Sequence, residues 1–200
     1  IDTSGEPLFK RGWRVDKGDA PLKETLAAAM IAATGWDPLG EQPLPLYDPC
    51  CGSGTVLIEA AQMACRIAPG SQRRFAFEKL LPYQQHVWVA IKNEAADAVV
   101  TSDVPIFGSD VSHRMVDFAQ RNAARAGVAA SVQLRGGDAL QRMPPCEQPG
   151  VMLLNPPYGE RIAAAGTAGQ NATQRASLRA QGAAQGRETA HTDDGGEFFS

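Results

Sequence analysis

Leu44-Pro45-Leu46-Tyr47-Asp48-Pro49-Cys50-Cys51-Gly52-Ser53-Gly54-Thr55 carries the reading of the fold. Its first four residues form a short apolar strand, and a helix is predicted from 55 to 66, where Val56, Leu57, Ala60, Ala61 and Ala64 recur at helical spacing. Between them, Gly52 and Gly54 let the backbone approach a ligand, and the helix start offers unpaired N–H groups. An ordinary tight strand-to-helix turn has the same composition, so this loop takes its meaning from what surrounds it. It is not the G-x-G-x-x-G of dinucleotide binders, because Leu57 stands at the third glycine position, and it lacks the lysine of a phosphate-binding loop.

Outward from this loop the pattern repeats. Residues 8–14 read as a short strand or extended arm, and a helix opens at Asp19-Ala20-Pro21 and stops at Gly35. Further helices are predicted over 84–99 and 112–126, and further strands over 105–109, 132–135 and 151–154. Strands alternating with helices imply an α/β fold with a mostly parallel sheet and helices on both faces. The sheet is expected to be truncated after its fourth strand. We expect residues 1–162 to form the core, 163–196 a flexible low-complexity insertion of Ala, Gly, Gln, Thr and Arg, and 197–200 the start of a further, truncated element.

The 200 residues carry a formal net charge of −3, which is unlike a domain that grips a polyanion unaided. The basic clusters at Lys10, Arg11 and Arg14 and at Arg73-Arg74 read as solvated surface. No apolar run is long enough to span a bilayer, and a cytoplasmic setting is expected. Cys50, Cys51, Cys65 and Cys146 make no C-x-x-C pair, and the three histidines are scattered, so no metal site is expected and the thiols are expected to be buried and reduced. A cysteine-based redox protein would rest on the adjacent Cys50 and Cys51 alone.

Four positions carry chemistry. Asp48 is placed to accept from an ammonium, which suits a cationic ligand with an amino-acid end, S-adenosylmethionine (SAM), better than NAD or ATP. Asp110, at the tip of the next strand, is placed to bind both hydroxyls of a ribose, although it lies much further from the glycines than the usual roughly 20 residues. Capping the following helix is the other reading of Asp110. Asp138, after Gly136-Gly137, is placed to accept from an adenine amino group. Asn155-Pro156-Pro157-Tyr158 is the most specific signal. A base amino group is a poor nucleophile because its lone pair is delocalised into the ring. Two acceptors aimed at its hydrogens, the Asn155 side-chain oxygen and the Pro156 carbonyl, favour the tetrahedral nitrogen that attacks a methyl group. The prolines fix the backbone, and Tyr158 offers a ring on which an extracted base stacks. Such catalysis is positioning plus electrostatics.

Taken together, Pro21-Leu22-Lys23-Glu24-Thr25, the loop from Asp48 to Thr55, Gly108-Ser109-Asp110 and Asn155-Pro156-Pro157-Tyr158-Gly159-Glu160-Arg161 resemble the THUMP-associated RNA guanine-N2 methyltransferases, whose bacterial members include enzymes acting on large-subunit (23S) ribosomal RNA. The resemblance covers about residues 1–162 and the Asp193–Gly196 region. It implies a Rossmann-like SAM methyltransferase fold, of which this chain holds part of the catalytic domain. It implies cofactor contacts from Asp48, Pro49, Cys50, Gly52, Gly54, Thr55, Asp110, Asp138 and Asn155, with Pro21 and Thr25 beside the methionine end and the target base held by Asn155, Pro156 and Tyr158. It also implies an RNA substrate, ribosomal or transfer RNA, and a THUMP-like RNA-binding domain upstream. Two other readings remain open at this point. The Asn155–Tyr158 chemistry equally serves DNA adenine-N6 methylation, and a non-catalytic SAM- or RNA-binding module would share the loops.

Overall fold

The computed structural model describes residues 2–156, so Pro157, Tyr158 and the expectations for 163–196 and 197–200 lie outside the described residues. Four strands, β1 (Leu46–Asp48), β2 (Ile106–Asp110), β3 (Gln133–Gly136) and β4 (Val151–Met152), form one sheet in the order β3-β2-β1-β4. All three pairings are parallel, as expected, with Asp48 opposite Gly108 and Asp110 opposite Gly136. The chain therefore builds outward from β1 through β2 to β3 and then returns to the other side of β1. That reversal leaves a crevice at the carboxyl ends of β1 and β4, where open α/β sheets bind ligands.

Among the described residues four α-helices accompany the strands: α1 (Glu24–Ala33), α2 (Thr55–Ala64), α3 (Gln85–Asp97) and α4 (His113–Arg125). α2 is the centre of the molecule. Apart from Met63 every residue of it is buried, because it packs on β1 and β2 beneath and between α1 and α4 at its sides. Gly108 makes this close approach feasible, since a Cβ there would overlap Leu57 Cδ1. α4 presents Val116, Ala119 and Ala123 to the interior at helical spacing. It ends as expected at Gly127, whose φ is +76°, with Val128 N–H closing on the Ala123 carbonyl at 2.9 Å. On the opposite face of the sheet, Tyr47, Phe107, Ser109, Gln133 and Arg135 line a cavity of about 260 Å³ with the stretch from Arg142 to Pro145.

The structure differs from the sequence expectation at several ends, among them β4, which covers only Val151–Met152 of the expected 151–154. α1 starts at Glu24 rather than near Pro21, because the Leu22 carbonyl and the Glu24 carboxylate are both engaged by Arg14 and the chain before them stays extended. β1 covers 46–48 rather than 44–47: its pairing starts where Leu46 N–H meets the Pro105 carbonyl, and Asp48 is its last residue. Residues 8–14 form an arm without strand pairing. Among the described residues no helix is long and apolar enough to cross a membrane.

Candidate functional site

The loop after β1 is organised by its own backbone and by the tip of β2. Asp48 is buried, and its Oδ1 accepts the Cys50 N–H at 3.0 Å, an arrangement that turns the chain sharply out of the strand. Cys51 N–H then reaches the Ser109 carbonyl at 2.9 Å, and Gly52 N–H reaches Asp110 Oδ2 at 2.9 Å. Gly52 and Gly54 adopt φ of +52° and +88°, the left-handed region in which a side chain is strained. Gly54 is the residue before α2, and a Cβ on it would stand 3.0 Å from that of Ala119 on α4.

Asp110 is a junction and not the cap of α4, whose N-cap residue is Ser112 and whose start has no side-chain cap hydrogen bond. Its Oδ1 accepts the Ser112 N–H at 2.8 Å, just ahead of α4, while Oδ2 holds Gly52 and its backbone carbonyl accepts Gly137 N–H at 2.9 Å. Each carboxylate oxygen keeps a second lone pair for a ligand. Asp138 follows β3 by two residues, and its Oδ1 accepts Leu140 N–H at 3.0 Å. Asn155 and Pro156 follow β4, which is tied to β1 by Leu153 N–H on the Tyr47 carbonyl at 3.0 Å. The four chemistry-bearing residues expected from the sequence and described in the structure, Asp48, Asp110, Asp138 and Asn155, thus stand at or just beyond the carboxyl ends of four adjacent strands. Tyr158 lies outside the described residues.

The electrostatics agree with that convergence. Full burial pushes the Asp48 carboxyl up to about 7, with the nearby Asp110 charge adding to the rise and the Cys50 N–H opposing it. Burial, then Asp48, Asp110 and Asp138, push the Cys50 thiol up to about 12, so all three carboxylates act on one point of the loop. Cys51 is raised well above its ordinary value by burial, then by Asp48 and Asp110. Both cysteines are free thiols held protonated, which makes them poor nucleophiles and leaves the redox reading without support. A site ringed by carboxylates, one of them fully buried, suits a cationic ligand. Among the described residues no three His, Cys, Asp or Glu side chains are grouped to hold a metal ion.

Two expectations need correction, and one residue was missed. Arg11 and Arg14 are not solvated surface: their side chains are 12% and 11% exposed and pair with Glu59 and Glu24. Arg73 donates to the carbonyls of Ser4, Glu6 and Pro7 and lies over the Phe75 ring. The Thr55 hydroxyl, at the start of α2, accepts from Arg14 Nη2 at 2.6 Å. Asn122, in the last turn of α4 and wholly buried, donates to the Ser53 carbonyl at 3.1 Å and was not singled out. The signal that would have found the arginine pairs is Glu59, a carboxylate inside the apolar run Thr55–Ala64 that needs a buried cation.

Comparison with known proteins gives a consistent picture. The model of the family UPF0020, described as the RMKL-like methyltransferase domain, matches residues 11–190. Proteins named ribosomal RNA large subunit methyltransferase K/L are similar: that of Shewanella loihica is 47% identical over 167 residues, covering 81% of this chain and 23% of the relative. That of Psychromonas ingrahamii is 46% identical over 168 residues, covering 81% and 22%. The chain thus spans less than a quarter of the length of these curated relatives. Among solved structures, SMU.472, a protein assigned as a methyltransferase and crystallised with SAH, superposes with a TM-score of 0.73 at 39% identity, covering 82% of this chain and 42% of that one. A Listeria monocytogenes protein assigned as an N6-adenine-specific DNA methylase superposes with a TM-score of 0.74 at 39% identity, covering 88% and 44%.

Proposed function

Because the chain belongs to the RMKL-like methyltransferase domain family, we propose that it is the SAM-dependent catalytic part of an enzyme that methylates the exocyclic N2 amine of a guanine in RNA, with 23S ribosomal RNA as the substrate. The observation that carries this reading is the row of acceptors along one sheet edge, Asp48, Asp110 and Asp138 followed by Asn155 beside the β1–β4 crevice.

Bound SAM supplies a methyl group already activated by its sulfonium. The chain's own residues bind and orient. Asp48 takes the ammonium of the methionine end, beside Pro49, Cys50, Pro21 and Thr25, and Gly52 and Gly54 let the backbone close on it. Asp110 accepts from the ribose hydroxyls and Asp138 from the adenine amino group. The side-chain oxygen of Asn155 and the carbonyl of Pro156 accept from the two hydrogens of the target amine, so that its lone pair turns toward the methyl group. Tyr158 stacks on the extracted base. The net charge of −3 agrees with an RNA grip supplied elsewhere, and we assign it to a THUMP-like domain upstream, in a cytoplasmic enzyme.

DNA adenine-N6 methylation is the second reading, favoured by what the Listeria monocytogenes neighbour is assigned to do. The intact parent enzyme that contains this chain, given labelled SAM with undermodified large-subunit ribosomal RNA or with unmethylated DNA, is expected to label the RNA at guanine N2. Label in DNA alone overturns the RNA assignment.

Asp48 makes cofactor binding depend on pH. An ammonium favours the ionised carboxylate, and the free site holds the proton up to about 7. SAH affinity is therefore expected to rise with pH, by as much as about ten-fold per unit from about pH 5.5, and to level off near neutrality. Calorimetry in buffers of different ionisation enthalpy should register one proton released on binding below that point. Affinity independent of pH over this range would remove Asp48 from the ammonium site.

A further inference from the structure

We propose that Arg14 and Asn122 are positioning residues that brace the cofactor loop against the N-terminal arm; the inference rests on the cofactor reading above. Within the loop, Cys50 N–H on Asp48 Oδ1 and Gly54 N–H on the Cys51 carbonyl at 2.8 Å set the turn, but Gly52 and Gly54 sit in left-handed conformations and are the residues with the most backbone freedom to lose. From the sheet side it is tied by Asp110 and by the Ser109 carbonyl. From the outer side it is tied at two points only a residue apart, Ser53 and Thr55, and both ties lead to the arm.

At Thr55, the tie is Arg14. Its Nη2 lies 2.6 Å from Thr55 Oγ1 and 2.7 Å from the Leu22 carbonyl, and its Nε forms an ion pair with Glu24 Oε1 at 3.1 Å. One buried guanidinium therefore spans the first residue of α2 and the segment leading into α1, the two stretches assigned to the methionine end of the cofactor. At Ser53, the tie is Asn122. Its Nδ2 donates to the Ser53 carbonyl at 3.1 Å and to the Asp16 carbonyl at 2.8 Å, while its Oδ1 accepts the N–H groups of Val15 and Asp16 at 3.3 Å each and Arg125 Nη1 at 2.7 Å. Arg121 and Arg125 in turn hold the Asp16 carboxylate. Residues 14–16 are thus the common anchor of both outer ties. A lysine at position 14 is a point charge and cannot serve three partners in the geometry of a planar fork.

The molecule contains its own comparison. Arg11 and Glu59 form an equally buried, two-pronged pair on the same helix α2, one turn beyond Thr55, with both contacts at 3.1 Å, and none of its hydrogen bonds reaches the loop. A brace that acts only through stability would make the two arginines equivalent. A brace that shapes the loop separates them.

The test compares Arg14→Lys, Arg11→Lys and Asn122→Asp in the full chain, by calorimetric SAH affinity, thermal melting, and KM for SAM against kcat. Both arginine variants are expected to melt earlier. Arg14→Lys should weaken SAH by about ten-fold and raise KM more than it lowers kcat, whereas Arg11→Lys should leave SAH affinity within about two-fold. Asn122→Asp, which sets a carboxylate against the Ser53 carbonyl, should weaken SAH to a similar degree and serves as the readout if Arg14→Lys fails to fold. Equal loss of SAH affinity in Arg14→Lys and Arg11→Lys, or no loss in either Arg14→Lys or Asn122→Asp, overturns the brace. A parent chain that binds neither SAM nor SAH would instead overturn the cofactor reading, and the brace with it.

Discussion

Asn155→Ala in the full chain is expected to lower methyl transfer by about a hundred- to a thousand-fold while leaving SAH affinity within a few-fold. Asn155 follows β4 and stands at the β1–β4 crevice, half-buried at the end of the strand. In the role proposed for it, Asn155 contributes to a nitrogen that becomes tetrahedral only as the methyl group arrives. The side-chain oxygen therefore acts on the transition state more than on either bound partner, and its loss appears in kcat. Asn155→Asp separates the two parts of this account. It keeps an acceptor of the same size but places a charge beside the cofactor's ring of carboxylates, so partial activity with altered SAH affinity is expected. The measurement is single-turnover transfer from labelled SAM to undermodified ribosomal RNA, beside calorimetry of SAH. Turnover retained in Asn155→Ala would remove the residue from catalysis.

Gly54→Ala is the second large effect, and it acts on both stability and cofactor binding. The left-handed φ of +88° at Gly54 costs a side chain about 1–2 kcal/mol. The new Cβ would meet Ala119 of α4 at 3.0 Å from its Cβ and 3.2 Å from its Cα, and a well-packed contact forced apart costs about 1–3 kcal/mol more. Ala119 is wholly buried and its Cα is backbone, so relief comes only from moving α4 or the loop. Gly35→Ala supplies the control. Gly35 has φ of +71° after α1 but open space where a Cβ would stand, so it carries the conformational cost without the collision. Gly54→Ala is expected to melt well below Gly35→Ala and to lose SAH affinity by more than about ten-fold, while Gly35→Ala keeps the parental affinity. Equal melting points and equal affinities in the two variants would show that α4 does not set the position of the loop.

These expectations depend unequally on sequence and structure. The run from Leu44 to Thr55 could be read directly, because strand, turn and helix are each specified by neighbours a few residues apart: apolar side chains before, glycines at the turn, and Val56, Leu57, Ala60, Ala61 and Ala64 at helical spacing after. Gly127 was legible as a helix stop for the same local reason. Asp110 could be placed at a strand tip, but its double service to Gly52 and Ser112 depends on β1 and β2 lying side by side, which spacing alone does not reveal.

Arg14 shows where local reading runs out. As sequence, Lys10, Arg11 and Arg14 form a basic cluster like many that face solvent. As structure, Arg11 and Arg14 are enclosed by α1 and α2, and each finds a carboxylate, Glu59 and Glu24, brought from a distant or separate element. Whether a charge is buried depends on the surfaces that close over it, and those come from residues tens of positions away. The sequence by itself determined the alternation of elements and the glycine-built loop, since each depends on short-range sterics and hydrogen-bonding capacity, and it is the source of the amino-group chemistry we propose for Asn155-Pro156-Pro157-Tyr158. Only the tertiary structure decided that Asp48, Asp110, Asp138 and Asn155 share one edge, that Asp48 holds its proton up to about 7, and that the loop is braced by the arm. The physical reason is the same throughout: burial, desolvation and convergence are properties of packed surfaces and not of neighbours along the chain.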